Sequence, residues 1–198
     1  RMQSVAVGWD VYQRTGEPLA LGLVGLVQVI PAIALALPAG WLADRFDRRR
    51  VVLWSLAGVT ATSIGLAMQA RFASPVWVVY LLLGLDAAAG SLGRPARSSL
   101  VPRLVPRQVF PNAVAWNNSL FQLAGVLGPA AGGFIIAVSV SAAYPLAAAT
   151  SFAFALLLSR IQEASGVADG GGHATLSTLF DGIGYLRRTR VLLAILSL

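Results

Sequence analysis

Residues 40–50, Gly40-Trp41-Leu42-Ala43-Asp44-Arg45-Phe46-Asp47-Arg48-Arg49-Arg50, set narrow limits on what this chain can fold into. They separate two uncharged stretches, Leu19 to Ala43 and Val51 to Ala70. A helix needs about 20 apolar residues to cross a hydrocarbon core of roughly 30 Å, and both stretches reach that length. Six charges fall between Asp44 and Arg50, four of them arginine, and they cannot rest in lipid. They form a tight turn at a membrane face. Short arginine-rich connections stay on the cytoplasmic side, so the turn also fixes an expected orientation.

Composition agrees with this placement. Hydrophobic residues make up 57% of the chain and charged residues 12%, against about a quarter charged in an ordinary soluble domain. The net charge of +7 comes from arginines scattered through short connections. They do not form one face of a soluble domain, so no nucleic-acid partner is expected. The chain has no cysteine, and its one histidine, His173, lies beside Gly170-Gly171-Gly172. Neither a disulfide framework nor a metal centre is therefore expected. No serine, histidine and carboxylate are grouped for nucleophilic catalysis, and the glycine run lacks a phosphate-binding lysine. No enzyme activity and no cofactor are expected.

Read in order, the chain predicts six spans. The first reaches about Tyr12 and ends in the polar turn Arg14–Pro18. The second takes Leu19 to about Trp41, with Pro31 and Pro38 inside it. The third covers Val51 to about Ala70, and the fourth about Val76 to Gly93. A basic loop from Arg94 to Pro111 is expected next. Gln108 to Ser159 carries no charge, which is too long for one span, so it divides at Ser139–Pro145 into the fifth and sixth. Residues 1–160 then form one transmembrane bundle. Residues 161–190 are expected as a cytoplasmic linker with a short interfacial helix carrying Leu176, Leu179, Phe180 and Ile183. Residues 191–198 read as the start of a seventh span. With this topology twelve arginines fall inside and two, Arg14 and Arg71, outside.

The pattern Gly40-x-x-x-Asp44-Arg45-x-x-Arg48-Arg49 resembles the first signature motif of the major facilitator superfamily, with Asp47 where the general motif has a second glycine. The "Asp-Arg-Phe-Asp-Arg-Arg" variant is similar to a branch that contains the enterobactin exporter, macrolide efflux pumps and lysophospholipid transporters. In the fifth span, Ala124, Gly128 and Gly132 share one helix face, and Pro129 and Gly133 complete a pattern similar to the superfamily motif of exporters and antiporters. Small residues on one stripe let helix backbones approach closely. The resemblance implies an all-α integral membrane fold: an N-terminal six-helix half of two inverted three-helix repeats, facing a missing C-terminal half. It implies a secondary transporter, proton-coupled, that exports siderophore-like or lipophilic small molecules from the bacterial inner membrane. An importer, a lysophospholipid transporter and a non-transporting scaffold or sensor are the alternatives.

By the same resemblance, Gly40, Asp44, Arg45, Arg48 and Arg49 latch the cytoplasmic gate. Gly40 is expected at a close helix contact, and Asp44 before the third span is expected to cap it. Asp86 and Asp10 lie within spans, where an ionised carboxylate costs about 2.5–3.5 kcal/mol at the bilayer centre. Both are candidates for carrying the coupling proton. Gln13, Gln28, Asn117 and Gln122 are candidates for the substrate cavity, with Trp9, Tyr12 and Trp116 as further aromatic candidates.

Overall fold

The structure, a computed structural model, describes residues 2–72, 75–104 and 108–160. The linker, interfacial helix and start of a seventh span expected after Arg160 lie outside the described residues. Seven helices run through the described part: α1 (Met2–Thr15), α2 (Pro18–Ala34), α3 (Ala36–Arg45), α4 (Arg48–Phe72), α5 (Val76–Leu104), α6 (Phe110–Val138) and α7 (Val140–Arg160). Four of them are long and apolar enough to cross a membrane, and the pair α2 and α3 makes a fifth candidate.

That pair is the expected second span, broken at Leu35 with a bend of 46°. Two prolines frame the break. Pro31 and Pro38 have no N–H to give to the preceding turn, which removes two ladder bonds within two turns of helix. The chain closes the gap locally, with the Leu35 N–H donating to the Pro31 carbonyl at 2.9 Å and Ala39 N–H to Leu35 at 2.8 Å. At the other end of α2, Gly16 makes the turn from α1 with φ at +68°, a conformation glycine adopts without Cβ strain.

Two boundaries differ from expectation. The division expected over Ser139–Pro145 narrows to Ser139, since α7 starts at Val140 and takes in Pro145. Arg94 does not open a loop, because α5 runs on through Pro95 to Leu104. Charge does not end a helix when the apolar face continues. Ala96 and Leu100 are buried while Arg94, Arg97 and Ser98 stay exposed, and Arg97 lies 5.4 Å from the Phe154 ring of α7. The extension carries the helix out of the apolar layer with its inner face still packed.

Two apolar clusters hold the bundle. One, at the end away from the arginine turn, joins Val7 and Val11 of α1, Val24 of α2, Leu66 of α4, Val79 and Leu83 of α5, and Tyr144 of α7. The other, beside the arginine turn, joins Ala43, Val51, Val52, Leu56, Ala96, Leu100 and Leu158. Between them the contacts are polar or small, and α4 meets α5 there along a close antiparallel seam. A Cβ on Gly58 would lie 2.9 Å from Ala89 Cβ, and one on Gly65 would lie 3.0 Å from Leu82. Gly93 sits against Ser55, whose hydroxyl donates to the Ala89 carbonyl at 2.7 Å. Close backbone approach through small residues is how helices associate where lipid removes the hydrophobic drive. The remaining long helix, α6, packs on α1 and α7 and leaves most of its apolar surface exposed.

Candidate functional site

The α4–α5 seam positions the site. Its layers are Ser55 with Gly93, Gly58 with Ala89, Thr62 with Asp86, and Gly65 with Leu82. In the Thr62 layer the hydroxyl donates to Asp86 Oδ1 at 2.7 Å. Asp86 thus stands at mid-height between the two apolar clusters, held by a short hydrogen bond. It faces a half-open cavity of about 400 Å³, whose polar lining includes Gln3, Ser4, Gln28, Arg94 and Thr150. Leu83, Val59 and Ala147 supply apolar wall. The Gln28 amide donates to the Val24 carbonyl at 3.1 Å, which fixes its side chain. Gln3 accepts from the Ser63 hydroxyl at 2.9 Å, while its Nε2 is buried without a partner among the described residues. A carboxylate, two amides and a guanidinium around an apolar-walled space can bind a small molecule carrying a few polar groups.

Asp10 has different surroundings. It is 8% exposed, and its Oδ1 accepts from Arg14 Nε at 3.0 Å. Tyr144 donates to Oδ2 at 3.4 Å, and Arg14 Nη2 donates to Gln69 Oε1 at 3.0 Å. These four side chains tie α1, α4 and α7 together at the end of the bundle opposite the arginine turn. Asp10 does not line the cavity of Asp86. Gln13, Asn117 and Gln122 are exposed and also lie outside that lining, so Gln28 alone of the four polar candidates is brought to Asp86. Trp9, Tyr12 and Trp116 are exposed as well.

In the arginine turn the cap is Asp47, not Asp44. Asp47 Oδ1 accepts from the Arg49 and Arg50 N–H groups at 2.9 and 3.2 Å, at the first turn of α4. Asp44 is still in the last turn of α3 and exposed, three residues too early to reach those donors. Arg45 lies 5.2 Å from the Trp41 ring, and Arg49 Nη2 donates to the Ser159 carbonyl at 2.6 Å. Through that bond the turn holds the last turn of α7, where unsatisfied carbonyls favour a cation. Arg48 is half-buried. The close contact expected at Gly40 is not made within the described residues, since a Cβ there would meet nothing within 4 Å. On α6, Gly132 does make one: its Cβ would lie 3.3 Å from the Met2 carbonyl oxygen and 3.4 Å from Met2 Cα. Gly133 faces open space, Gly128 and Pro129 are half-buried, and Ala124 is exposed.

The whole chain, residues 1–198, matches the family model described as Major Facilitator Superfamily. The chain belongs to the Major Facilitator Superfamily. Superfamily relatives include an uncharacterized MFS-type transporter, YfiS, of Bacillus subtilis, 28% identical over 92% of this chain and 44% of its own. The multidrug efflux pump Tap of Mycobacterium tuberculosis is 29% identical over 95% of this chain and 47% of its own. Macrolide efflux protein A of Streptococcus pyogenes is 23% identical over 68% and 33%. The chain thus spans between a third and a half of the length of these relatives. Its apolar helices and its family make it a multi-pass membrane protein.

Several residues of the site carry no motif: Gln3, Ser4, Arg94 and Thr150 of the lining, and Thr62, which donates to Asp86. A signal for Thr62 was nonetheless in the sequence. Ser55, Gly58, Thr62 and Gly65 recur at spacings of three and four, as do Leu82, Asp86, Ala89 and Gly93. Two such stripes on consecutive antiparallel helices pair in one register only, and that register sets Thr62 against Asp86.

Proposed function

We propose that this chain is the N-terminal half of a secondary transporter that exports a lipophilic, drug-like small molecule in exchange for protons, by alternating access. Asp86 carries the proposal: a carboxylate at mid-height, on a close helix seam, facing a half-open cavity. A coupling carboxylate must be reached by water and by substrate in turn, and membrane transporters place such groups near the midplane at repeat interfaces. Asp86 meets that requirement better than Asp10, which Arg14 and Tyr144 already engage. Efflux pumps among the relatives support the outward direction.

In this reading the arginine turn lies in the cytoplasm, and Gly40 and Asp44, with no close neighbour at Gly40 here, meet the C-terminal half when the inner gate closes. Arg45, Arg48 and Arg49 brace the turn from within. The exposed stripe of α6, with Gln122 and Asn117, and the exposed Gln13 face the same missing partner across the substrate path.

The test is counterflow and proton-driven export by the full-length protein in proteoliposomes. Asp86→Asn should abolish export driven by a pH gradient while sparing counterflow, which needs no net proton movement. Proton-driven export by Asp86→Asn at the wild-type rate would refute the assignment.

A further inference from the structure

A second cavity, sharing no lining residue with that of Asp86, lies between α4 and α7. It is an open groove of about 550 Å³, lined by Ile64, Ala67, Met68 and Arg71 of α4 and by Ala142, Pro145 and Ala148 of α7. Every lining residue except Arg71 is apolar, and the α7 wall is built of alanine and proline. Ile64 and Arg71 are seven residues apart, so the groove runs roughly 10 Å along α4. One leaflet contributes about half of the roughly 30 Å hydrocarbon core, so that depth stays within a single leaflet. Arg71 occupies the last turn of α4, at the membrane boundary opposite the arginine turn.

Arg71 is the unexpected member. Basic residues are disfavoured in connections at that end of the bundle, and the other one there, Arg14, is engaged by Asp10 and Gln69. Arg71 has no ion pair with a described residue. It is an exposed guanidinium at the mouth of an apolar slot. We propose that this groove binds an acidic glycerophospholipid of the leaflet opposite the arginine turn, with one acyl chain along Ile64, Met68 and Ala148 and the phosphate on Arg71. Charge selects the occupant. The phosphate of a zwitterionic lipid is already matched by its own cation, whereas an acidic headgroup brings an unmatched charge to the arginine. The site is separate from the transport cavity and does not depend on the export reading.

The experiment uses the full-length protein in phosphatidylcholine nanodiscs holding a minority of phosphatidylglycerol with a diazirine on one acyl chain. After irradiation, labelled peptides are mapped by mass spectrometry. Label should concentrate on residues 64–71 and 142–148. Arg71→Gln should lower it about fivefold, the weight of one basic contact to an anionic lipid, and Arg71→Lys should restore most of it. Ala142→Phe, at an exposed position that leaves the core intact, should also lower it by filling the slot. Diazirine-tagged phosphatidylcholine should label the groove less and ignore Arg71→Gln. Even labelling around the bundle, no response to Arg71→Gln, or cross-linking of a second protein copy through these peptides would each overturn the proposal.

Discussion

Gly93→Ala probes the seam on which the candidate site depends. The added methyl group would lie 2.5 Å from Ser55 Cβ, closer than two carbons can sit, and Ser55 Cβ is fixed to the backbone. The two helices must therefore separate locally. Overpacking of this kind costs about 1–3 kcal/mol. Ser55 would also lose its 2.7 Å bond to the Ala89 carbonyl, and such bonds between membrane helices average about 0.6 kcal/mol. Together the loss is roughly 2–4 kcal/mol. Gly90→Ala, less than one turn away, is the control, because its methyl would meet nothing nearer than Val59 at 4.0 Å. That change should be neutral or stabilise by up to about 1 kcal/mol, the intrinsic helix preference for alanine. Reversible unfolding of the full-length protein in mixed micelles reads both. Moving the glycine across the seam, in Ser55→Gly with Gly93→Ala, should recover at least about 1 kcal/mol beyond additivity. Because Thr62 and Asp86 lie two layers along, proton-driven export should fall with Gly93→Ala and return in the double variant. Equal stabilities for Gly93→Ala and Gly90→Ala would refute the seam and the register it imposes on Asp86.

Asp47→Ala should cost about 0.5–2 kcal/mol as the lost cap of α4, whereas Asp44→Ala should leave unfolding unchanged, which the same micelle assay resolves. Arg14→Ala strands the Asp10 carboxylate and should cost about 3 kcal/mol, the low end for a buried pair, since the two side chains keep 23% and 12% exposure. Restoring the loss with Asp10→Asn in the same chain would confirm that the stranded charge, not lost packing, is the cause. Gly132→Ala should destabilise by about 1 kcal/mol or more against Met2, while Gly133→Ala should not, measured as thermal midpoints in detergent.

The membrane class, five of the six expected spans and a division within Ser139–Pro145 were legible because lipid tolerates neither charge nor unpaired backbone, so gaps in charge mark spans directly. The first expected span was not matched: α1 has 14 described residues and is not among the helices long and apolar enough to cross. The break at Leu35 was not legible. Pro31 and Pro38 each permit a kink, and the sequence does not show that the chain turns between them to bury Ala39 and Ala43 as α3 packs on α5. The length of α5 is hidden for a related reason. Arg94, Pro95 and Arg97 look like a loop when charge is counted, yet Ala96 and Leu100 keep a helical period that the second apolar cluster uses. Asp44 belongs to the motif, while the cap falls to Asp47, the residue that directly precedes α4. Of the site, Asp86 and Gln28 could be named from residue type and depth. Gln3, Ser4 and Thr150 could not, because what brings them together is the packing of α7 on α4 and α1 and of α1 against α5, a long-range arrangement that no local pattern encodes.

The bend at Leu35 makes α3 a lever. Ten residues at 1.5 Å each give an arm of about 15 Å from the pivot to Arg45. A change of about 10° at the pivot would sweep the arginine turn sideways by roughly 2.6 Å while α2 stayed docked. The buried side chains of that arm are Ala39 and Ala43, small enough to slide on α5 without interlocking. Movement at the arginine turn can thus be fed by a small rotation at Leu35, about two helical turns along the chain from Gln28, which shares a cavity with Asp86.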